Sequence, residues 1–384
     1  MSAQQPTPLG PPASVLMTGG SGLLGRYLAR ELLPQVERLQ LLLRHPSQKL
    51  REELTAFLTS GRKDLERRLI FVQGDICERG VVPPGRQRQR LCKEVTHLYH
   101  LAALTSLDLV DEEVLTRFNV NGTANVLAFA RECRNLRKVN HLSCSAISGT
   151  AHHQHDYFYE DDVDLGQGWR NSYERTKLVA EKLAISARRD LPLTVLRPVF
   201  LIGETVTGYL PFKALIYHLF DLLAGLRTLT RRYPPLRHLA QVMPGSQDHY
   251  LDLVPVNYAA TLAASIGQAY STRGKTYCLG NSHQAMNLVE ILNLLLPLFD
   301  LPVPTFFYHP GRLTALARRA KPRTILRALL DLGGVPPEAF AYLDQTLRYD
   351  ASNTEEHCEQ VGLKAPYLPD HLPACAEYYL RHLA

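Results

Sequence analysis

Over the first half of the chain, short apolar runs alternate with longer segments in which apolar residues recur every three or four positions. The short runs predict strands buried on both faces, and they lie at 14–18, 39–43, 69–73, 97–101, 138–142 and 193–196. The longer segments predict helices at 22–33, 51–68, 112–133 and 173–188. Regular alternation of strand and helix indicates an α/β fold with a Rossmann-type, doubly wound parallel sheet.

The pattern changes after residue 203. Longer helical patterns follow, separated by loops that carry proline and glycine, at 210–226, 286–298 and 313–332, with one more strand at 276–279. The first residues are rich in proline and glutamine and predict a flexible tail. We therefore divide the chain into a tail (1–13), an α/β domain (14–203) and a smaller, mostly helical substrate cap (204–384) that interleaves with the last strands of the sheet.

Composition narrows the class of protein. The 384 residues are 45% hydrophobic and 21% charged, as in ordinary globular domains. The net charge of +6 suits an anionic ligand and is too small to indicate nucleic-acid binding. Seven cysteines without a CxxC pair indicate neither a disulfide framework nor a zinc site, which favours the cytoplasm. No apolar run reaches the roughly 18 residues of a membrane helix, and the N-terminus lacks the pattern of a secretion signal.

A glycine-rich motif joins the first strand to the first helix. Its GxxGxxG spacing lets the backbone turn sharply and approach a pyrophosphate, while the N-terminus of the helix favours an anion. The motif consists of Gly19, Gly20, Ser21, Gly22, Leu23, Leu24 and Gly25. We therefore interpret residues 14–203 as a dinucleotide-binding domain.

The end of the second strand bears on the choice of cofactor. A site for NAD places an acid there to bind the ribose 2′-hydroxyl, whereas here Leu43 is followed by Arg44. Arg44, together with Arg26 just after the glycines, suits the 2′-phosphate of NADP(H), because a guanidinium presents forked donors that match phosphate.

Residues after the third and fourth strands extend the predicted cofactor site. Asp75 and Ile76 follow the third strand, where Asp75 can accept from the exocyclic amine of adenine. Ala102 and Ala103 follow the fourth, where small side chains let a cofactor lie against the sheet edge. Each signal is weak alone, and their order along the chain strengthens all of them.

A YxxxK motif opens the helix that follows the fifth strand. Tyr173 and Lys177 are four residues apart and therefore share one face of the helix. A phenol there can donate a proton to a carbonyl oxygen as hydride reaches the carbon. A neighbouring ammonium lowers the pKa of the phenol and can hold the nicotinamide ribose.

Together these motifs resemble the extended short-chain dehydrogenase/reductase superfamily. Four segments are similar to its thioester-reductase and fatty-acyl-reductase branch, namely 118–123 (FNVNGT), 197–198 (RP), 203–208 (GETVTG) and 251–258 (LDLVPVNY). The segment GLLGRYL at 22–28 looks like the reductase domain of carboxylic acid reductases. The resemblance runs from about Val15 to the C-terminus, and it implies further cofactor contacts from Asn119, Pro198 and Phe200.

The resemblance also implies a third catalytic group, a Ser or Thr just after the fifth strand that hydrogen-bonds the substrate oxygen. In LSCSAISG at 142–149 the family's Thr position falls on Cys144, and a thiol is a weaker donor than a hydroxyl. We expect Ser145 to serve instead, with Ser143 second. Cys144 as a covalent nucleophile toward a thioester is a further alternative.

The activity that the resemblance implies is that of an NADP-dependent oxidoreductase. Hydride from NADPH would reduce an acyl thioester to an aldehyde or an alcohol, and we expect the thioester to arrive as acyl-CoA or on an acyl carrier protein. Two alternatives stay open: a ketone or secondary-alcohol oxidoreductase of the same superfamily, and a non-catalytic NADP-binding regulator, which the departure at Cys144 suggests. A homodimer is compatible with the resemblance.

Other clusters of polar residues are interpreted as surface features. The histidines within 151–155 lack the spacing of a helical zinc site. The acids at 160–162 and the basic run at 85–90 predict solvated loops. Arginines within 227–237 and basic residues within 318–323 lie in the cap, where they suit a phosphopantetheine phosphate or an acidic carrier helix.

Overall fold

The computed structural model of the protein describes residues 14–105, 111–210, 216–280, 284–309, 312, 319 and 341–383. The strands are β1 (Ser14–Thr18), β2 (Arg38–Leu43), β3 (Leu69–Gln73), β4 (His97–His100), β5 (Lys138–Leu142), β6 (Tyr157–Phe158), β7 (Leu193–Pro198), β8 (Phe200–Ile202), β9 (Val242–Pro244), β10 (Tyr250–Leu251), β11 (Leu253–Pro255), β12 (Thr276–Leu279), β13 (Met286–Asn287), β14 (Phe306–Tyr308) and β15 (Arg348–Tyr349). The helices are α1 (Leu23–Leu32), α2 (Gln48–Thr59), α3 (Lys63–Glu66), α4 (Arg86–Glu94), α5 (Glu112–Leu115), α6 (Gly122–Glu132), α7 (Ser172–Ser186), α8 (Ile216–Arg232), α9 (Val256–Gln268), α10 (Leu288–Leu295), α11 (Ser352–Val361) and α12 (Leu368–His382).

Seven parallel strands form the central sheet, in the order β12-β7-β5-β4-β1-β2-β3. β1 pairs with β2 on one side and with β4 on the other, so the direction of winding reverses between β1 and β4. In a doubly wound sheet the crevice at that reversal is where ligands bind. The predicted α/β fold with a Rossmann-type sheet is confirmed.

Helices cover both faces of the sheet. Because successive residues of a strand point to opposite sides, each strand contributes apolar residues to the clusters on both faces. On β1, Val15 and Met17 pack in one apolar cluster with residues of α1, α2 and α9. Leu16, between them, packs in another cluster with residues of α4 and α6. Burial on both faces is the reason that these strands are continuous apolar runs in the sequence.

A third apolar cluster holds much of the second half of the chain together. α8, α10 and α12 contribute Phe220, Leu295 and Tyr379 to it, and the Tyr379 hydroxyl donates to the buried Asp221 carboxylate at 2.6 Å. α9, by contrast, packs on the sheet. The second half therefore supplies both cap and sheet residues, and the proposed division at residue 203 stays a prediction. Among the described residues, none of the helices is long and apolar enough to cross a membrane.

Several predicted helices differ from the observed ones for local reasons. The pattern at 51–68 is two helices, because Ser60 and Gly61 both adopt positive φ and end α2. The pattern at 112–133 is interrupted by a π-helical turn, Thr116–Asn121. The predicted loop at 85–90 is wrong: α4 occupies it and buries Leu91 against the sheet while its charged residues face outward.

Two helices predicted in the cap are present in the structure but begin at later residues than predicted. The pattern at 210–226 corresponds to α8, and residues 211–215 lie outside the described residues. The pattern at 286–298 begins with the short strand β13, and Asn287 then caps α10: its side chain accepts from the Glu290 N–H at 2.9 Å. The tail at 1–13 and nearly all of the helix predicted at 313–332 lie outside the described residues.

Candidate active site

The glycine loop presses directly against the end of β4. Gly19 has a φ of +75°, and a Cβ there would lie 2.6 Å from the Ala102 backbone nitrogen. A Cβ on Gly25 would lie 2.1 Å from the Gly19 carbonyl oxygen, so the first turn of α1 packs on the loop itself. Only glycine fits either position, and the result is a backbone-lined crevice between β1 and β4.

α1 begins at the mouth of this crevice. Its first turn carries no acidic residue, and no side chain in the described part of the chain caps it. The first N–H groups of a helix have no partner within the helix, and the helix dipole favours an anion there. The loop and helix together fit the diphosphate of a dinucleotide.

The two arginines predicted to bind a 2′-phosphate have different surroundings. The Arg26 side chain is almost buried, donates to the Ser21 carbonyl at 2.9 Å and pairs with the Glu53 carboxylate at 2.6 Å. Arg44 is exposed at the end of β2, and its guanidinium lies 5.4 Å from the centroid of the Phe118 ring. Arg44 therefore presents its donors to solvent beside the crevice, whereas Arg26 braces the loop.

The predicted adenine end follows β3. Asp75 adopts a tight turn in which its carboxylate accepts from the Cys77 N–H at 2.9 Å. Ile76 is buried, and its Cδ1 would contact a Cβ placed on Gly122. The Asn125 amide donates to the Ile76 carbonyl at 2.9 Å. This segment is therefore fixed by α6.

Ala102 and Ala103 follow β4, and buried polar contacts position them. Thr18 accepts from the Ala102 N–H at 3.2 Å, and its hydroxyl lies 2.8 Å from His100 Nδ1. Asn119, in the π-helical turn, accepts from the Leu104 N–H at 2.8 Å. Its amide also donates to the Thr176 hydroxyl on α7, at 3.2 Å. Asn119 thus joins the loop after β4 to the helix that carries the YxxxK motif.

Tyr173 and Lys177 face the end of β5. α7 is capped by Asn171, whose side chain accepts from the Glu174 N–H at 3.0 Å, so Tyr173 lies in the first turn. The Tyr173 hydroxyl donates to Cys144 Sγ at 3.6 Å. The Lys177 ammonium donates to the Leu142 carbonyl at 2.9 Å. A phenol, a thiol and an ammonium therefore converge just beyond the fifth strand.

The three candidates for the third catalytic group are placed differently. Cys144 is the one beside the Tyr173 hydroxyl. Ser145 is buried and lies near the Tyr349 hydroxyl; burial raises the pKa of Tyr349 to about 12, and hydrogen bonds with Ser148 and Ser145 oppose that rise. The Ser143 hydroxyl is buried, with no hydrogen-bond partner among the described residues.

Burial dominates the electrostatics of this site. The expectation that Lys177 lowers the pKa of the Tyr173 phenol is wrong: burial raises that pKa well above its usual value, and Cys144 and Tyr342 act in the same direction. Burial also raises the pKa of the Cys144 thiol and lowers the pKa of the Lys177 ammonium. At neutral pH the phenol and the thiol both keep their protons, as a proton donor requires.

A wall of the site comes from the C-terminal part of the chain and was not predicted. The Asn171 amide donates to the Tyr342 hydroxyl at 2.9 Å, and the Tyr342 ring lies edge-on to Phe200, 6.1 Å between centroids. Arg170 lies over the Tyr342 ring at 5.0 Å and donates to Gln345 at 2.9 Å. The partners in these contacts are more than 140 positions apart in the sequence, so no local pattern connects them.

The loop after β5 also differs from its prediction. Glu160, interpreted as a solvated acid, is buried, and its carboxylate accepts from the Cys278 and Asn353 N–H groups, both at 2.6 Å. Burial raises the pKa of Glu160 to about 7. Arg197, next to Pro198, pairs with the buried Glu181 and donates to the Glu160 carbonyl at 3.0 Å. Arg197 on β7 therefore holds this loop in place.

Comparisons with known proteins indicate the family to which the chain belongs. An NAD-binding family model described as "Male sterility protein" matches residues 17–263. A Synechocystis sp. protein provisionally named a dihydroflavonol 4-reductase is 26% identical over 383 residues, 95% of this chain and 94% of its own length. The Drosophila melanogaster "Fatty acyl-CoA reductase wat" is 24% identical over 232 residues, 51% of this chain and 45% of that protein. The chain thus spans less than half of the fly relative.

Solved structures share the fold. The terminal R domain of the myxalamid PKS–NRPS pathway superposes with a TM-score of 0.76 at 23% identity, over 97% of this chain and 92% of that one. A thiolation-reductase di-domain from an archaeal non-ribosomal peptide synthetase gives 0.70 at 16% identity, over 96% and 75%. The resemblance seen in the motifs is confirmed. The chain belongs to the Male sterility protein family and is an NAD(P)-dependent oxidoreductase.

Proposed function

We propose that the protein is an NADPH-dependent reductase of acyl thioesters. The observation that carries the proposal is the convergence of Tyr173, Cys144 and Lys177 beyond β5, next to a glycine-lined crevice. When bound, NADPH supplies hydride to the thioester carbon. The carbon–sulfur bond then breaks, the thiol leaves with a proton, and an aldehyde forms. A second hydride would give the alcohol.

Tyr173 is the proposed proton donor to the substrate oxygen. Its raised pKa keeps the phenol protonated at neutral pH, so the proton is held until negative charge develops on that oxygen. Lys177, held by the Leu142 carbonyl, is the proposed anchor for the nicotinamide ribose. Neither role requires a group outside the described residues.

Cys144 is the proposed third group, in preference to Ser145 and Ser143. Its sulfur is the atom that receives the Tyr173 hydrogen bond, whereas Ser145 lies near Tyr349. Because burial raises the thiol pKa, the thiolate needed for nucleophilic attack is disfavoured, and a polar contact to the substrate oxygen is the role that fits.

NADPH, rather than NADH, is proposed because of the end of β2. Arg44 is exposed there, no acid follows the strand, and Arg26 steadies the glycine loop. The proposed diphosphate contacts are the N–H groups at Gly20–Gly25. Asp75, Ile76, Ala102, Ala103, Asn119, Pro198 and Phe200 complete the proposed cofactor site.

The thioester is proposed to arrive as acyl-CoA or on a carrier protein. The fly relative is named a fatty acyl-CoA reductase, and one structural neighbour joins a thiolation domain to a reductase domain. The alternative, a ketone or secondary-alcohol oxidoreductase, is favoured by the name of the Synechocystis relative, which matches nearly end to end.

A substrate screen separates the two. NADPH oxidation and free-thiol release are measured together with acyl-CoAs, acyl-pantetheines, aldehydes and ketones. Loss of one NADPH per thiol released (aldehyde product) or of two per thiol (alcohol product) supports the proposal, while turnover of ketones without turnover of any thioester overturns it. Tyr173→Phe should lower the rate by about 10²–10⁴-fold, and the exposed Tyr270→Phe should leave it unchanged. A wild-type rate in Tyr173→Phe would show that the measured activity arises elsewhere.

A further inference from the structure

Two histidines and an aspartate from three separate segments of the second half meet at one point. His249 lies just before β10, His309 just after β14, and Asp344 shortly before β15. One ligand atom from each lies within 4.8 Å of the other two. None of the three belongs to the catalytic arrangement described above.

The distances match a single coordination sphere. His249 Nε2 lies 2.9 Å from Asp344 Oδ1, and His309 Nδ1 lies 3.8 Å from the same oxygen. Ligands bound tetrahedrally at the 2.0–2.2 Å typical of zinc lie roughly 3.3 Å from one another. The two observed separations bracket that value, and all three ligand atoms lie within 4.8 Å of one another, so small side-chain rotations would bring them to one ion.

The donor set and its surroundings suit a divalent transition metal. Imidazole favours zinc and its neighbours in the first row over magnesium or calcium, and one carboxylate supplies charge.

Exposure differs across the cluster in a way that suits metal entry. The His249 side chain is only 5% exposed, and its Nδ1 has no hydrogen-bond partner among the described residues. The side chains of His309 and Asp344 are 59% and 30% exposed. A buried ligand on one side and two accessible ligands on the other leave a path from solvent and an open coordination position for water.

We propose that His249, His309 and Asp344 bind a divalent transition-metal ion of the zinc class. The ion would hold together three segments of the second half. Asp344 stands two residues after Tyr342 and one before Gln345, both of which contact the α7 end of the active site. A metal here would therefore fix the wall that faces Tyr173, without contacting the reacting atoms.

Metal binding is tested on tag-free full-length protein that has been stripped with a chelator. Equilibrium dialysis against Zn²⁺ measures stoichiometry and Kd, and Co²⁺ absorption in the visible range reports tetrahedral coordination. We expect one ion per chain. His309→Ala and Asp344→Asn, both at accessible positions, should each weaken Zn²⁺ binding by at least about tenfold and remove the Co²⁺ bands.

His238→Ala is the matched control, because His238 is an exposed histidine in the same half of the chain whose Nδ1 lies 3.2 Å from the Gln241 side chain. It should bind Zn²⁺ as the wild type does. The proposal is overturned if the stripped protein takes up no Zn²⁺ with saturation, or if His309→Ala binds as tightly as wild type. Neither result depends on any reductase activity, so the proposed function stands or falls separately.

Discussion

Cys144 is the residue at which this chain departs from the pattern of the superfamily it resembles. Its thiol touches the Tyr173 hydroxyl, where a Ser or Thr hydroxyl is expected. A neutral thiol is a weak donor, so it stabilises charge on the substrate oxygen less than a hydroxyl would. The role of position 144 can therefore be measured by replacing Cys144 with Ser, which restores a hydroxyl.

A substitution series at Cys144 distinguishes a polar contact from a nucleophile. If the thiol only donates to the substrate oxygen, Cys144→Ala should lower kcat by roughly tenfold, a loss of about 1–1.5 kcal/mol, and Cys144→Ser should restore or exceed the wild-type value. A nucleophile would instead fail as Ser and would carry an acyl group detectable by intact-mass spectrometry. Cys92→Ala, at a partly exposed cysteine on α4, is the control.

Arg44 decides cofactor preference in the proposed site. Hydrogen bonds to a charged phosphate contribute about 1.5–3 kcal/mol, so Arg44→Ala should raise the KM for NADPH by roughly 10–100-fold and leave the KM for NADH nearly unchanged. Steady-state kinetics with both cofactors measure this. Arg38→Ala, at the opposite end of β2, should change neither value. Equal losses for the two cofactors would contradict a 2′-phosphate contact.

At the scale of elements, the helix cap at α7 couples two parts of the chain. Asn171 accepts from the Glu174 N–H through its oxygen and donates to the Tyr342 hydroxyl through its nitrogen. Asn171→Asp keeps the cap but loses the donor, whereas Asn171→Ala loses both.

The two variants should separate stability from catalysis. Asn171→Ala should cost about 1 kcal/mol of unfolding free energy, the usual value of an N-cap, and Asn171→Asp should cost less. Both should lower kcat if the Tyr342 contact positions the wall facing Tyr173. Denaturant unfolding and kinetics on the same samples measure the two effects. An Asp variant with wild-type kcat would show that the Tyr342 contact does not position the site.

Elements that are specified by neighbouring residues could be predicted from the sequence, whereas contacts between distant residues could not. The glycine loop, β1 and β5 are specified within a few residues, and their predictions needed no long-range information. α4 was missed because its stretch of charged residues hides the one buried position, Leu91. Tyr342 could not be placed, because its contact with Asn171 joins positions 171 residues apart.

Over the whole molecule, segments near the C-terminus pack against the first half of the chain. β15 pairs with β6, and the Tyr349 hydroxyl lies 3.0 Å from the Ser148 hydroxyl. Glu160 joins three parts at once: its own loop, β12 through the Cys278 N–H, and the start of α11 through the Asn353 N–H. The sequence does not show that Glu160 is the buried member of the acidic run 160–162, because its neighbour Asp161 is also acidic and is exposed.

Burial of Glu160 makes the stability of this junction depend on pH. Its pKa is raised from about 4.5 in the unfolded chain to about 7 in the folded protein. Between these values the folded state holds a proton that the unfolded state has lost, so the contribution to stability is full below about pH 4.5 and is lost as the pH rises through 7. The size of the effect is about 1–3 kcal/mol.

Glu160→Gln removes the titrating carboxyl group, so the free energy of unfolding of the variant should depend less on pH. The Gln side chain also places an N–H donor opposite one of the backbone N–H groups from which the carboxylate accepts a hydrogen bond. The variant should therefore be less stable than wild type at pH 5. The difference should shrink, or change sign, by pH 8, because the wild type then carries a buried charge and the variant does not. Urea unfolding at pH 5, 6, 7 and 8 measures both proteins, with Asp161→Asn as the exposed neighbouring control. A difference between wild type and Glu160→Gln that stays constant over this range would mean that the carboxyl group keeps its ordinary pKa in the folded protein.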